Sequence, residues 1–125
     1  MAYYLISYDA SVEEYPDVLK DIVVLLFEEL DVYRIGRPVA STLLFKVDAE
    51  KWGIEDVAEL IKNHFDGDFG FVLSRVSYRD KENKVLIVPK QDQELCDNFD
   101  DVLDELKKDG KICDGVENIG DIFNR

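Results

Sequence analysis

Apolar side chains recur along this chain in two rhythms. Over residues 3–8, Tyr3, Leu5 and Ser7 fall on one face of an extended segment and Tyr4, Ile6 and Tyr8 on the other, and the run reads as a strand. Both faces are largely apolar, so the strand is expected inside a sheet and covered on at least one side. Asp9, Ala10 and Ser11 then lead out of the sheet. Pro16 suits the first turn of a helix, where its fixed φ fits and its missing N–H has no partner to lose. Val18, Leu19, Ile22, Val23, Leu26, Phe27 and Leu30 follow at helical spacing, with Lys20, Asp21, Glu28 and Glu29 off the stripe.

Two extended pieces, 32–35 and 39–47, are expected next, joined around Gly36-Arg37-Pro38 as a turn or a bulged hairpin. Ile54, Val57, Ala58, Ile61 and Phe65 mark a second helix over 54–65, and Asp66-Gly67-Asp68 stops it, glycine being the residue suited to the left-handed conformation past a helix end. Residues 69–78 read as a strand. Residues 79–83 turn the chain into a short strand at 84–88, which Pro89 ends because it cannot donate to a ladder. Leu95, Phe99, Val102, Leu103 and Leu106 form a last apolar stripe, with Lys107 and Lys108 in its final turn and Gly110 as the stop. Ile112, Val116, Ile119, Ile122 and Phe123 serve to dock the remaining segment, or to dock a partner. The order strand, helix, strand, strand, helix, strand predicts an α+β fold: a ferredoxin-like split βαβ antiparallel sheet with an added strand and a C-terminal acidic helix. Residues 1–90 form the ferredoxin-like domain, and residues 91–125 an acidic helical extension of the same domain.

Charge changes the picture. The 125 residues carry 28 acidic and 15 basic side chains, a formal net charge of -13. Residues 91–125 hold 11 acids and 4 bases, and residues 92–105 hold seven acids and no base. The remaining composition is that of a globular chain, 46% hydrophobic and 11% aromatic, enough for one core. The longest apolar run, residues 22–27, is far short of the roughly 18 residues a membrane span needs. The N-terminus has no basic flank or cleavage site of a signal peptide, so a cytoplasmic protein is expected. Cys96 and Cys113 are expected as free thiols. With His64 they cannot supply the about four ligands of a structural zinc site.

Asp9 is the first candidate for chemistry. A carboxylate just past a buried first strand stands at the sheet rim, where it serves either as a ligand for a divalent cation or as a cap of the following turn or helix. Mg²⁺ takes about six oxygens, so a second Asp9 across a dimer axis, or several waters, would have to complete the shell. Arg34, Arg37, Arg75 and Arg79 are read either as one basic patch or as charges that protect sheet edges. His64 suits the negative end of its helix. Ser7, Ser11 and Ser41 lack the turn context of a nucleophile, and Asp68-Phe69-Gly70 lacks every other part of a kinase. Glu94, Asp97, Asp100, Asp101, Asp104 and Glu105 would line the exposed side of the last helix for roughly 20 Å. They form either a solubilising face or a surface that attracts a basic protein.

The opening Tyr4-Leu5-Ile6-Ser7-Tyr8-Asp9-Ala10-Ser11, with Ser41-Thr42-Leu43-Leu44-Phe45 downstream, resembles the small CRISPR-associated nucleases of spacer acquisition and the related VapD ribonucleases. The resemblance covers residues 3–89. It implies a ferredoxin-like fold, a homodimer in which the strand at 84–88 crosses to the other protomer, and Asp9 as a ligand for Mg²⁺ or Mn²⁺ that activates water against a phosphodiester. The chain departs from the family where nucleic acid would run. Glu13, Glu14, Asp17 and Asp21 replace basic residues, and Ala40 stands where glutamine is expected. Phosphate backbones are bound by cations that displace counterions, and a charge of -13 opposes that. The leading expectation is therefore a non-catalytic, cofactor-free interaction protein that offers its acidic helix to a basic partner, as a nucleic-acid mimic or regulator of a nucleic-acid-processing or defence complex. The alternative is the metal-dependent nuclease built on Asp9, with nucleic acid as its partner.

Overall fold

The described residues form one mixed sheet and three helices. The computed structural model describes residues 2–9, 15–39, 41–48, 50–66, 69–76 and 93–119. Their order is β1 (Ala2–Tyr8), α1 (Tyr15–Leu30), β2 (Arg34–Val39), β3 (Thr42–Val47), α2 (Ile54–His64), β4 (Phe71–Val76), α3 (Gln93–Lys108) and β5 (Glu117–Asn118). The strands lie in the order β4-β1-β3-β2-β5. β1 pairs antiparallel with both β3 and β4, the interior position expected for it. The first four strands have an order compatible with the split βαβ, ferredoxin-like arrangement.

Two expectations change. β2 runs through Gly36, Arg37 and Pro38, with a register shift between Gly36 and Val39. The expected break is thus a bulge inside a strand, which lets a proline sit in a sheet without a ladder hydrogen bond, and the chain reverses around Ser41 instead. The sheet is mixed, because β5 adds parallel to β2. Two backbone bonds fasten it: the Glu117 amide donates to the Tyr33 carbonyl at 2.7 Å and the Ile119 amide to the Ile35 carbonyl at 2.9 Å. A two-residue strand has no period to read, so the sequence pattern is blind to it. Asp66 takes a left-handed backbone after α2, with φ 54°, as Asp31 does after α1 with φ 53°; Gly67, the expected stop, lies outside the described residues. Aspartate tolerates that region better than most residues. The expected strand at 84–88, its preceding turn and Pro89 lie outside the described residues.

The helices cover one face of the sheet. Tyr4, Ile6, Tyr8, Ile35, Leu43, Phe45 and Val47 of the strands meet Leu19, Ile22, Val23 and Leu26 of α1, Val57 and Ile61 of α2, and Phe99, Leu103 and Leu106 of α3. α2 lies beside β4, while α3 lies over β2 and β5 and against α1. Ile112 and Val116 join the same core, so the segment from α3 to Ile119 docks onto its own chain; Ile122 and Phe123 lie outside the described residues. The opposite face carries a smaller cluster of Leu44, Val76 and Ile119, with Tyr3 and Leu5 packed on it.

Helix ends are closed by local chemistry. Gly110, at φ 71°, ends α3 in a Schellman motif: the Lys111 amide donates to the Leu106 carbonyl at 2.9 Å and the Gly110 amide to the Lys107 carbonyl at 3.1 Å. At the start of α2 the Asp56 carboxylate accepts the Gly53 amide at 3.3 Å. Among the described residues no helix is long and apolar enough to cross a membrane.

Candidate functional site

α1 presents Asp17, Asp21, Val24 and Glu28 at spacings of four, three and four, which places them along one side of the helix. That side faces α3 across a cleft of about 370 Å³, whose far wall is Leu106 and Lys111 and whose near wall includes Lys20. Lys111 is brought there by the Schellman turn, which folds the chain back at the end of α3. The cleft therefore has three carboxylates above an apolar strip made by Val24 and Leu106. Two of its side chains are tied to neighbours. The Lys20 ammonium donates to Glu105 Oε1 at 2.9 Å, joining α1 to α3, and that hydrogen bond holds its pKa above the ordinary 10.5. The His64 Nε2 lies 3.0 Å from Asp21 Oδ1, joining α2 to α1, with the imidazole edge-to-face on Phe65.

The acids of α3 divide in two. Asp100 accepts a hydrogen bond from Asn118 Nδ2 at 2.8 Å, pinning the helix to β5, and Glu105 is held by Lys20. These two are spent largely on tertiary structure. Asp101 and Asp104 are exposed, one and four residues along from Asp100. Glu94 and Asp97 belong to the same helix, and their side chains lie outside the described ones. Burial of Phe99, Leu103 and Leu106 against the sheet is what turns Asp101 and Asp104 outward. Among the described side chains Asp101 and Asp104 are thus the acids of α3 left facing solvent outside those two contacts, and carboxylates of α1 lie across the cleft from this helix. The α1 acids were legible as a polar strip; that the strip faces α3 was not.

Asp9 is exposed at the end of β1, its amide donating to the Gly70 carbonyl at 3.1 Å. Among the described residues no group of three or more His, Cys, Asp or Glu side chains is placed to hold a metal ion, at Asp9 or elsewhere. Arg34 and Arg75 are not brought together. Arg34 is on β2 and Arg75 on β4, with β1 and β3 between them. Arg75 stands opposite Tyr4, toward the start of β1 and far from Asp9 at its end, about 3.3 Å per residue along the strand. Arg37 lies in the bulge of β2, and Arg79 falls outside the described residues. Arg34 pairs with Glu117 of β5, Nε to Oε2, at 3.4 Å. β2 is flanked by β3 and β5, so edge protection does not account for Arg34.

Ser7 Oγ and Thr42 Oγ1 lie 3.1 Å apart as a cross-strand pair. Cys113 is a free, half-buried thiol after α3. Comparison of the chain with protein-family models, with curated proteins and with solved structures returned no match.

Proposed function

We propose that this chain is a ferredoxin-like interaction module whose α1–α3 surface receives a basic segment of a partner protein, in the manner of a nucleic-acid mimic. The observation that carries the reading is the cleft itself: carboxylates of Asp17, Asp21 and Glu28 over the apolar strip of Val24 and Leu106, with Asp101 and Asp104 exposed on the neighbouring helix. A lysine or arginine side chain fits such a surface in both its parts, the methylene stem along Val24, which is half-buried, and the cationic head among the carboxylates. The net charge of -13 adds a long-range field that draws in cationic surfaces and repels phosphate backbones. Like charges at close spacing weaken helices by a few tenths of a kcal/mol per pair, so a binding role supplies a reason for keeping them.

The test is capture from native cell extract on the immobilised chain, at about 0.05 M and about 0.5 M salt, where the screening length shrinks several-fold. A basic protein retained only at low salt, and lost with Asp17→Lys plus Glu28→Lys and with Asp101→Lys plus Asp104→Lys, supports the reading. Unchanged capture by both double variants overturns it, as does tight binding of DNA or RNA by the purified chain at ordinary ionic strength.

A further inference from the structure

The sheet holds a second, chemically different concavity at the other end of β1 from Asp9. Continuing the register that pairs Ile35 with Phe45 and Gly36 with Leu44 by one residue sets Arg34 of β2 opposite Lys46 of β3, and Lys46 is paired in turn with Tyr3 of β1. Two cations facing each other across neighbouring strands repel. Both strands are interior to the sheet, so neither charge serves to guard an edge. Arg34 is partly offset through its Nε by Glu117 at 3.4 Å. Among the described residues Lys46 has the Tyr3 ring, its ammonium 5.7 Å from the centroid, and no carboxylate within ion-pair distance.

Around these cations is a cavity of about 300 Å³ lined by Asp31, Tyr33, Arg34 and Lys46, a volume at the lower end of small-ligand sites. Tyr33 is 47% exposed, and its ring is held edge-to-face by Phe27 at 5.9 Å and 87°. Asp31, exposed at the turn out of α1, makes no hydrogen bond or ion pair among the described residues, and its φ of 53° comes from closing the helix. The lining thus offers two cations, one oriented aromatic ring and one unengaged carboxylate.

We propose that this concavity is a binding site for a single ribonucleotide. The phosphate sits between Lys46 and Arg34, where charge-assisted hydrogen bonds relieve the cross-strand repulsion. The base lies on Tyr33, which accepts any planar ring. Asp31 accepts hydrogen bonds from the ribose hydroxyls, a role that a simple anion site has no use for. A longer strand is disfavoured, because the next phosphates would run onto a surface dominated by carboxylates. The inference is independent of the acidic cleft and uses none of its residues.

Isothermal titration and backbone amide shifts of the intact chain with AMP, with adenosine and with inorganic phosphate form the test. AMP is expected to bind at least tenfold more tightly than either fragment, with shifts centred on residues 31–34 and 46. Lys46→Gln is expected to weaken AMP at least tenfold and Tyr33→Ala at least threefold, with Asp101→Asn without effect. Phosphate binding as tightly as AMP reduces the site to an adventitious anion contact and overturns the proposal. Adenosine matching AMP, or an AMP affinity unchanged in Lys46→Gln, overturns it equally.

Discussion

α1 and α3 are helices of equal length, 16 residues each, that solve different problems. α1 is buried along much of its girth: Leu19, Ile22, Val23, Leu25, Leu26 and Leu30 are all in the core. α3, over β2 and β5 at one side of the sheet, buries Phe99, Leu103 and Leu106 among its described side chains and exposes the carboxylates of Asp100, Asp101, Asp104 and Glu105. The contrast shows where a fold has room for function. A helix packed on most sides has its sequence dictated by volume, whereas a flanking helix is held by one stripe and is free to carry charge elsewhere. That freedom is limited, since Asp100 and Glu105 are drawn back into contacts with β5 and α1.

The sharpest way to break the contrast is to cut both stripes. Leu26→Ala and Phe99→Ala are each expected to cost about 2–5 kcal/mol, the range for large-to-small changes in a core. Because Phe99 and Leu26 belong to one cluster, chemical denaturation followed by circular dichroism and by fluorescence should give one shared transition for both variants. A separate early loss of helix in Phe99→Ala would mean that α3 is an appendage. Charge comes next. Added salt screens like-charge repulsion, so the wild-type melting temperature should rise between about 0.02 M and 0.5 M sodium chloride. The rise should shrink in the Asp101→Asn, Asp104→Asn double variant; an equal rise in both would place the repulsion elsewhere.

Asp66→Gly removes the left-handed strain after α2 and is expected to stabilise by roughly 0.5–1 kcal/mol, read as a higher denaturation midpoint with unchanged slope. The smallest effect belongs to the tie between the two helices. The hydrogen bond to Glu105 raises the Lys20 pKa, so its contribution is fully present below the ordinary lysine range and is lost as pH climbs through the raised value. Any stability difference between wild type and Lys20→Met should accordingly fade at strongly alkaline pH; a difference that persists there would be packing by the stem.

Much of this architecture was legible in the residues. The largely apolar run of β1, the helical stripes of α1, α2 and α3 and the glycine stop at Gly110 are all local signals. The bulge in β2 was half legible: glycine and proline announce an irregularity, but whether the chain turns or merely kinks depends on the strand beside it. The candidate sites were less so. The acidic row on α3 is plain in the sequence, yet its division into engaged and exposed carboxylates rests on Lys20, 85 residues before Glu105, and on Asn118, 18 residues after Asp100. The Arg34–Lys46 pairing left no trace at all, since it depends on which residues two strands set opposite each other.

What the amino-acid order settled unaided is what acts within a few residues: periodicity, helix ends and the excess of negative charge. What folding alone decided is which distant groups meet. It set α1 acids across a cleft from α3, two cations side by side on interior strands, and a two-residue strand against β2. Local signals survive in an isolated segment because backbone geometry and solvent exposure act on each residue where it stands. Pairings do not, because they come into being only when burial of a shared core forces separate elements into one register.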